Sequence, residues 1–246
     1  MDLSTSLTLP ALIFLAAILY ASVGHGGASG YLAVMALFGV APAVMKPTAL
    51  TLNILVSLIA LIKFYRAGCF SWRLFLPFAL TSVPLAFVGG SIVLPTTLYK
   101  PIVGVVLIYA AVRLFFSAGK PQAAEPRAIN IPLAVFFGAV IGLLSGLTGV
   151  GGGIFLSPLL VFLRWADVRQ TGGVAAAFIL VNSISGLLGH FSAVSELPSF
   201  IPVWAVAAVA GGWLGAEFGS RRLGNPALRR LLAAVLVIAG LKMILG

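Results

Sequence analysis

The sequence predicts an all-α integral membrane protein of two inverted-topology repeats, each a glycine-broken helical hairpin followed by three transmembrane helices. Three observations lead to this fold class: the composition, an internal repeat and the distribution of basic residues. Hydrophobic residues make up 61% of the 246-residue chain and charged residues only 8%, with a mean hydropathy of +1.17. Soluble proteins carry about a quarter charged residues. Because so few charges could not cover this apolar surface in water, we expect lipid to be the solvent.

The chain divides into two similar halves, and each half opens with a long apolar segment that glycines interrupt. The interruption reads GHGG at residues 24–27 and GVGGG at residues 149–153. Asn53 and Asn182 lie in matching segments of the two halves, at offsets that differ by a few residues. The apolar segments are 9–40, 48–62, 75–94 and 101–116 in the first half, and 131–163, 173–191, 200–218 and 226–245 in the second. We therefore assign residues 1–118 to repeat 1, 119–130 to a cytoplasmic linker and 131–246 to repeat 2, within one membrane domain.

The basic residues decide how the first segment of each half lies in the membrane. Segment 9–40 has 32 residues, about 48 Å of helix, whereas a bilayer core is about 30 Å thick. If each such segment crosses once, the Lys and Arg residues divide 8 to 7 between the two sides; if each turns back at its glycines, they divide 12 to 3. Basic residues collect on the cytoplasmic side, so the hairpin arrangement is favoured. Each half then crosses an odd number of times, which inverts the second half and places both termini outside the cytoplasm.

The glycine-rich breaks are the predicted binding site. Each glycine weakens a helix by about 1 kcal/mol relative to alanine, and an interrupted helix survives in hydrocarbon only if it is buried in protein or lines a wet cavity. Each break also exposes a helix N-terminus, whose free N–H groups and dipole favour an anion. The alternative is close helix packing through small residues, but two breaks at matching positions favour a substrate site. The backbone groups predicted to hold the anion are those of Gly26, Gly27, Gly151, Gly152 and Gly153.

Polar side chains near the breaks are predicted to complete this site. Asn53, Asn182, Ser29 and Thr148 would orient the solute, and the two asparagines rank highest because an amide is costly to bury in a membrane. His25 lies inside the first break, where a side chain that ordinarily titrates near pH 6.5 could couple proton movement to transport. The alternative for His25 is a hydrogen-bonded residue that holds the turn.

The remaining polar residues indicate neither an enzyme nor a cofactor site. No paired carboxylates and no Ser-His-Asp set occur within a segment, and Cys69 is the single cysteine, which excludes a cysteine metal cluster. We expect Asp167 to cap a helix and Glu217 to pair with Arg221 and Arg222. The net charge of +10 is explained by loop residues that fix membrane orientation, so nucleic acid is not an expected partner.

The second break resembles a known family. Residues 149–158 read GVGGGIFLSP, which is similar to the GxGGGxxxxP signature of the TauE/SafE family of sulfite-exporter-like membrane transporters. The first break departs from this signature, with Ala28 at the third glycine and Ala33 where Pro158 would align. The resemblance covers nearly the whole chain and implies export of a small sulfur-containing anion, such as sulfite, sulfoacetate or a related organosulfonate, across the bacterial inner membrane.

We expect a secondary transporter, since no nucleotide-binding motif is present and a gradient of H+ or Na+ must then drive transport. Two kinds of alternative stay open at this point. An anion channel or an uptake carrier for another small anion would use the same site, whereas a membrane enzyme or structural subunit would show no flux. The oligomeric state is open as well, and a homo-oligomer is compatible with the sequence.

Overall fold

The computed structural model describes residues 3–116, 127–191, 201–221 and 226–245, and its regular structure there is entirely α-helical. Six helices in these ranges are long and apolar enough to cross a membrane: α3, α4, α5, α6, α8 and α9. The helices of the described ranges are α1 (Leu3–Ala21), α2 (Ala28–Leu37), α3 (Pro42–Arg66), α4 (Trp72–Ser91), α5 (Thr96–Phe116), α6 (Ile131–Thr148), α7 (Gly153–Phe162), α8 (Val168–Phe191), α9 (Ile201–Arg221) and α10 (Pro226–Leu245). The predicted all-α membrane fold is confirmed.

Both halves have the same order of elements: a long helix, a break, a helix of ten residues, and three long helices. The breaks fall at the predicted glycines. Gly149 ends α6 with φ 82° and Gly27 precedes α2 with φ 101°, a region that glycine adopts without steric cost. Asn130 caps the start of α6 by accepting a backbone N–H bond of 3.1 Å. Asp167 caps α8 in the same way, at 2.7 Å from the N–H of Gln170, as the sequence predicted.

Close parallel helix pairs join the two halves. Three glycines of α6 contact three residues of α4 in the same order: Gly138 with Phe78, Gly142 with Ser82 and Gly146 with Ala86. Three glycines of α9 follow α1 in the same manner: Gly211 contacts Phe14, Gly215 contacts Ile18, and Gly219 contacts Ser22, directly after α1. Residues without side chains allow two backbones to approach closely. The first helix of each half therefore packs along the fourth helix of the other half.

Helices α3 and α8 lie at the centre and run in opposite directions. Gly172, near the start of α8, packs on Phe64 near the end of α3. Farther along, the Ser183 hydroxyl of α8 lies 3.4 Å from the side-chain nitrogen of Asn53. We name the two ends of the bundle after lysines of α3: the Lys46 end, where α3 begins, and the Lys63 end, where α3 finishes.

Basic side chains are unequally divided between these ends. Among the residues whose side chains are described, the Lys63 end carries seven: Lys63, Arg66, Arg73, Arg113, Arg127, Arg164 and Arg169. The Lys46 end carries three: Lys46, Lys100 and Lys242. This division matches the hairpin arrangement. One detail differs from the prediction, because Lys46 was counted as a loop residue and instead lies inside α3, which begins at Pro42, with its side chain buried.

An ion pair ties α3 to α9 at the Lys63 end. The Lys63 ammonium bonds the Glu217 carboxylate and lies 4.1 Å from the centre of the Trp213 ring, a distance at which a cation is attracted to the aromatic face. The sequence predicted Arg221 and Arg222 as partners of Glu217. Those two side chains lie outside the described residues, so that pairing stays a prediction.

Candidate functional site

The two glycine-rich breaks meet between α3 and α8. Gly26 in the first break and Gly151 in the second both pack on the side chains of Asn53 and Ile179, and a Cβ on either glycine would overlap the Asn53 carboxamide. Asn53 and Ile179 are each the twelfth residue of their helices. We call this meeting point the tip junction, made of residues 24–28 and 149–153 with Asn53 and Ile179.

Asn53 joins the two breaks by hydrogen bonds. Its side-chain oxygen accepts the N–H of Ala28 at 3.0 Å, and its side-chain nitrogen donates to the Val150 carbonyl at 3.2 Å. The side chain is fully buried. An asparagine carries an acceptor oxygen and a donor NH2 group on the same planar carboxamide, so it satisfies an N–H at the start of α2 and a carbonyl of the second break together.

The helix starts at the tip junction retain unpaired backbone N–H groups. The capping residues, Gly27 and Gly152, provide no side-chain hydrogen bond. Within the described ranges, the N–H groups of Gly26, Gly27 and 151–153 donate to no protein acceptor. The first turn of a helix leaves such donors unused, and together with the helix dipole they suit an anion. The predicted backbone donors are thus brought to one place.

A small cavity at the tip junction has a volume of about 10 Å³. That volume holds about one water molecule, so an oxyanion such as sulfite would require the breaks to separate. The cavity is lined by Tyr20, His25, Gly26, Gly27, Ala28, Ser29, Val150, Ile154 and Ile179.

His25 connects the first break to α7 of the second half. Its Nδ1 lies 3.1 Å from the Val23 carbonyl, and its Nε2 lies 3.2 Å from the Gly153 carbonyl and 3.1 Å from the Ser157 hydroxyl. A neutral ring that donates from Nδ1 can accept the Ser157 O–H at Nε2, whereas a protonated ring donates from Nε2 to the Gly153 carbonyl. The same geometry therefore accommodates both protonation states with different bonds to the second half.

The other predicted side chains lie at differing distances from this cavity. Ser29 lines it and donates its hydroxyl to the Tyr20 oxygen at 2.7 Å. Thr148 is buried beside the second break and donates to the Leu144 carbonyl of its own helix. Asn182 likewise donates to its own helix, and its side-chain oxygen has no partner among the described residues. Neither Thr148 nor Asn182 is a cavity-lining residue, and their roles toward a solute stay predictions.

The sequence placed Asn53 and Asn182 in matching segments at offsets that differ by a few residues, and the structure shows which residue of α8 is equivalent to Asn53. Ile179, three residues earlier on α8, takes the position opposite Asn53. The sequence also missed Tyr31, whose hydroxyl donates to the Gly26 carbonyl at 2.8 Å and holds the first break. A tyrosine within an apolar segment needs a hydrogen-bond partner for its hydroxyl, and that requirement could have indicated it. Ile179 is equivalent to Asn53 only when residues are counted from the helix starts that the structure places at Pro42 and Val168.

Comparisons with known proteins agree with this architecture. The family model described as "Sulfite exporter TauE/SafE" matches residues 9–243. The chain belongs to the TauE/SafE family. The membership that the sequence suggested is therefore confirmed, and the protein is a multi-pass membrane transporter of that family.

Curated relatives of this TauE/SafE protein carry similar descriptions. It is 42% identical over 234 residues to "Probable membrane transporter protein y4hK" of Sinorhizobium fredii, covering 94% of this chain and 95% of the relative. It is 25% identical to "Probable membrane transporter protein MJ0441" of Methanocaldococcus jannaschii, over 80% and 78% of the two chains. It is 23% identical to "Probable membrane transporter protein YjnA" of Bacillus subtilis, over 90% and 92%. No solved structure matches the chain.

Proposed function

We propose that this membrane transporter exports a small sulfur-containing anion, sulfite or an organosulfonate, across the bacterial inner membrane by ion-coupled alternating access. The observation that carries the proposal is the tip junction, where two helix starts with unpaired N–H groups face each other across Asn53. The family description, sulfite exporter, supports the substrate class. A sulfite or sulfonate group presents three oxygens that accept hydrogen bonds from several backbone donors together.

The charge near the tip junction also suits an anion. The two acidic residues whose side chains are described, Asp167 and Glu217, both lie toward the Lys63 end. Glu217 is neutralised there by Lys63. Among the described side chains, no carboxylate lines the small cavity. An anion at the junction would therefore meet donors and helix dipoles without a neighbouring negative charge.

Alternating access is proposed to use two inverted repeats. The course of the helices supports this, because α1 and α9 run in parallel, as do α4 and α6, while α3 and α8 run in opposite directions. The α1–α2 hairpin enters from the Lys46 end and the α6–α7 hairpin from the Lys63 end, so their tips meet between the two sides. Broken helices at the interface of inverted repeats form the solute sites of many secondary transporters.

We propose that the Lys63 end faces the cytoplasm, which places both termini and the Lys46 end on the other side. The excess of basic side chains at the Lys63 end supports this orientation. A reporter enzyme that is active only outside the cytoplasm, fused after Gly246, is expected to be active. Activity of a cytoplasm-restricted reporter at the same point would contradict the orientation.

Flux into proteoliposomes tests the transport function. We expect the purified protein to move radiolabelled sulfite and small sulfonates, and to do so faster under an imposed pH gradient. Flux that does not respond to any H+ or Na+ gradient would indicate an anion channel. Flux driven only inward would indicate an uptake carrier. No flux of any sulfur oxyanion would remove the substrate proposal and favour a role without transport of these anions.

His25→Gln is the matched variant for proton coupling. Glutamine can donate to the Gly153 carbonyl or accept from Ser157, but it cannot gain a proton. We expect the variant to retain downhill flux and to lose its acceleration by a pH gradient. If the variant responds to the pH gradient as the unaltered protein does, His25 does not carry the proton. Flux under a sodium gradient is then the next measurement.

A further inference from the structure

Lys46 carries a buried ammonium group that the tip junction does not account for. Its side chain lies in the first turns of α3 and is only 6% exposed. The ammonium donates to three backbone carbonyls at the end of α4: Gly90 at 2.7 Å, Ile92 at 3.1 Å and Gly89 at 3.3 Å. These are the carbonyls that the last turn of a helix leaves without partners.

The positive charge of Lys46 is not cancelled by a carboxylate in the described part of the chain. Lys63, on the same helix, forms the one ion pair recorded there, with Glu217. The carbonyls around Lys46 carry only the partial negative charge of a helix C-terminus, about half an elementary charge. A net positive charge therefore remains at the Lys46 end. An ionisable group inside a membrane protein is costly and usually serves function.

Lys46 adjoins the second break. A Cβ on Gly149 would lie 3.1 Å from the Lys46 carbonyl oxygen and 3.4 Å from its Cγ. Asn53 follows Lys46 by seven residues, or about two turns and 10 Å along the same face of α3. The Lys46 backbone therefore lies beside the second break, whereas its ammonium lies at the end of α4, on the Lys46 side of the tip junction. In the second half the equivalent fifth residue of the helix is Gly172, so Lys46 has no basic counterpart at that position of α8.

Two polar groups accompany Lys46 at this end. His190 of α8 is buried, and neither of its ring nitrogens has a partner among the described residues. Tyr99 of α5 donates its hydroxyl to the carbonyl of Thr148, directly before the second break, at 3.2 Å. Beside the buried Lys46 ammonium, this end thus holds an imidazole without a described partner and a phenol, and no described carboxylate.

We propose that Lys46 selects for anions on the Lys46 side of the transport pathway. The inference rests on the proposed function. An anion that moves between the tip junction and the Lys46 end passes the uncompensated ammonium, which lowers the energy of a negative solute there and raises that of a cation. The competing explanation is structural: Lys46 would only tie α3 to the end of α4.

Three substitutions separate charge from hydrogen bonding. Lys46→Arg keeps the charge, Lys46→Gln keeps N–H donors for the α4 carbonyls without charge, and Lys46→Met removes both. Proteoliposome flux is measured for sulfoacetate, with two negative charges, and methanesulfonate, with one, alongside thermal unfolding in detergent. We expect Lys46→Arg to transport both solutes. We expect Lys46→Gln to lose about tenfold or more of the methanesulfonate flux and a larger factor for sulfoacetate, because the loss scales with solute charge.

The outcomes distinguish the two explanations. Equal losses for both solutes in Lys46→Gln, or flux like that of the unaltered protein, would overturn the proposal. If Lys46→Gln does not fold, Lys46→Met provides the charge-free test, since methionine has a similar stem and apolar replacement of a buried charge is often tolerated. Absence of flux in the unaltered protein would instead remove the proposed function, and this inference with it.

Discussion

Replacing Asn53 by leucine is expected to abolish transport and to lower the melting temperature. Leucine has a similar size but removes the bonds to the Ala28 N–H and the Val150 carbonyl, both buried at the tip junction. Each buried backbone group left without a partner costs about 1–3 kcal/mol. The two breaks would also lose the Asn53 carboxamide, which bonds to both of them. Proteoliposome flux and thermal unfolding in detergent measure the two effects.

Asn53→Asp and Ser57→Ala are the controls for this substitution. Aspartate can still accept the Ala28 N–H but presents a negative oxygen to the Val150 carbonyl, so we expect it to lose flux as well. Ser57 lies one turn farther along α3, is equally buried, and donates only to carbonyls of its own helix. Ser57→Ala should leave flux near that of the unaltered protein. Normal flux in Asn53→Leu would show that the tip junction is not the solute site.

Gly151→Ala is expected to have the second large effect. Gly151 has φ 79°, and a Cβ there would overlap the side-chain nitrogen of Asn53 and lie 2.9 Å from Ile179. The methyl group would force the second break away from α3 and α8. We expect a loss of about tenfold or more in flux, together with a lower melting temperature, since the overlap adds to the cost of the left-handed conformation, about 1–2 kcal/mol.

Gly68→Ala separates these two costs. Gly68 has φ 71°, but a Cβ there would have no neighbour within 4 Å. This control carries the backbone strain without the overlap, and it lies in the turn between α3 and α4, away from the tip junction. We expect a modest fall in melting temperature and normal flux. Equal effects of the two substitutions on flux would mean that contact of Gly151 with Asn53 does not matter for transport.

Several parts of the structure could be predicted because they depend on local chemistry. A backbone in hydrocarbon must satisfy its own hydrogen bonds, so apolar segments of sufficient length indicated the helices. Glycine runs indicated the breaks, which the structure places at residues 22–27 and 149–152. The count of basic residues favoured hairpins, and the described basic side chains are likewise more numerous at the Lys63 end than at the Lys46 end. The family signature at residues 149–158 was readable without any structure.

Other parts depended on contacts between distant residues. Asn182 looked equivalent to Asn53 by residue type, but its amide bonds its own helix, and Ile179 faces the breaks instead. The position of α8 along the breaks decides which of its side chains contacts them. A shift of three residues, from Ile179 to Asn182, moves a side chain almost one turn along the helix. Lys46 looked like a loop cation until the helix start at Pro42 placed it inside the bundle.

By itself, then, the sequence determined that this protein is a helical membrane transporter of the TauE/SafE family with a glycine-rich break in each half. These features depend on the lipid solvent and on residues close together in the sequence, so the composition and the spacing of residues are enough to predict them. Only the tertiary structure decided that one asparagine bonds both breaks, that His25 reaches Gly153, and that the Lys46 ammonium lies on the carbonyls of α4. Those contacts join residues from 25 to 128 positions apart, and only packing of the helices brings them within hydrogen-bonding distance.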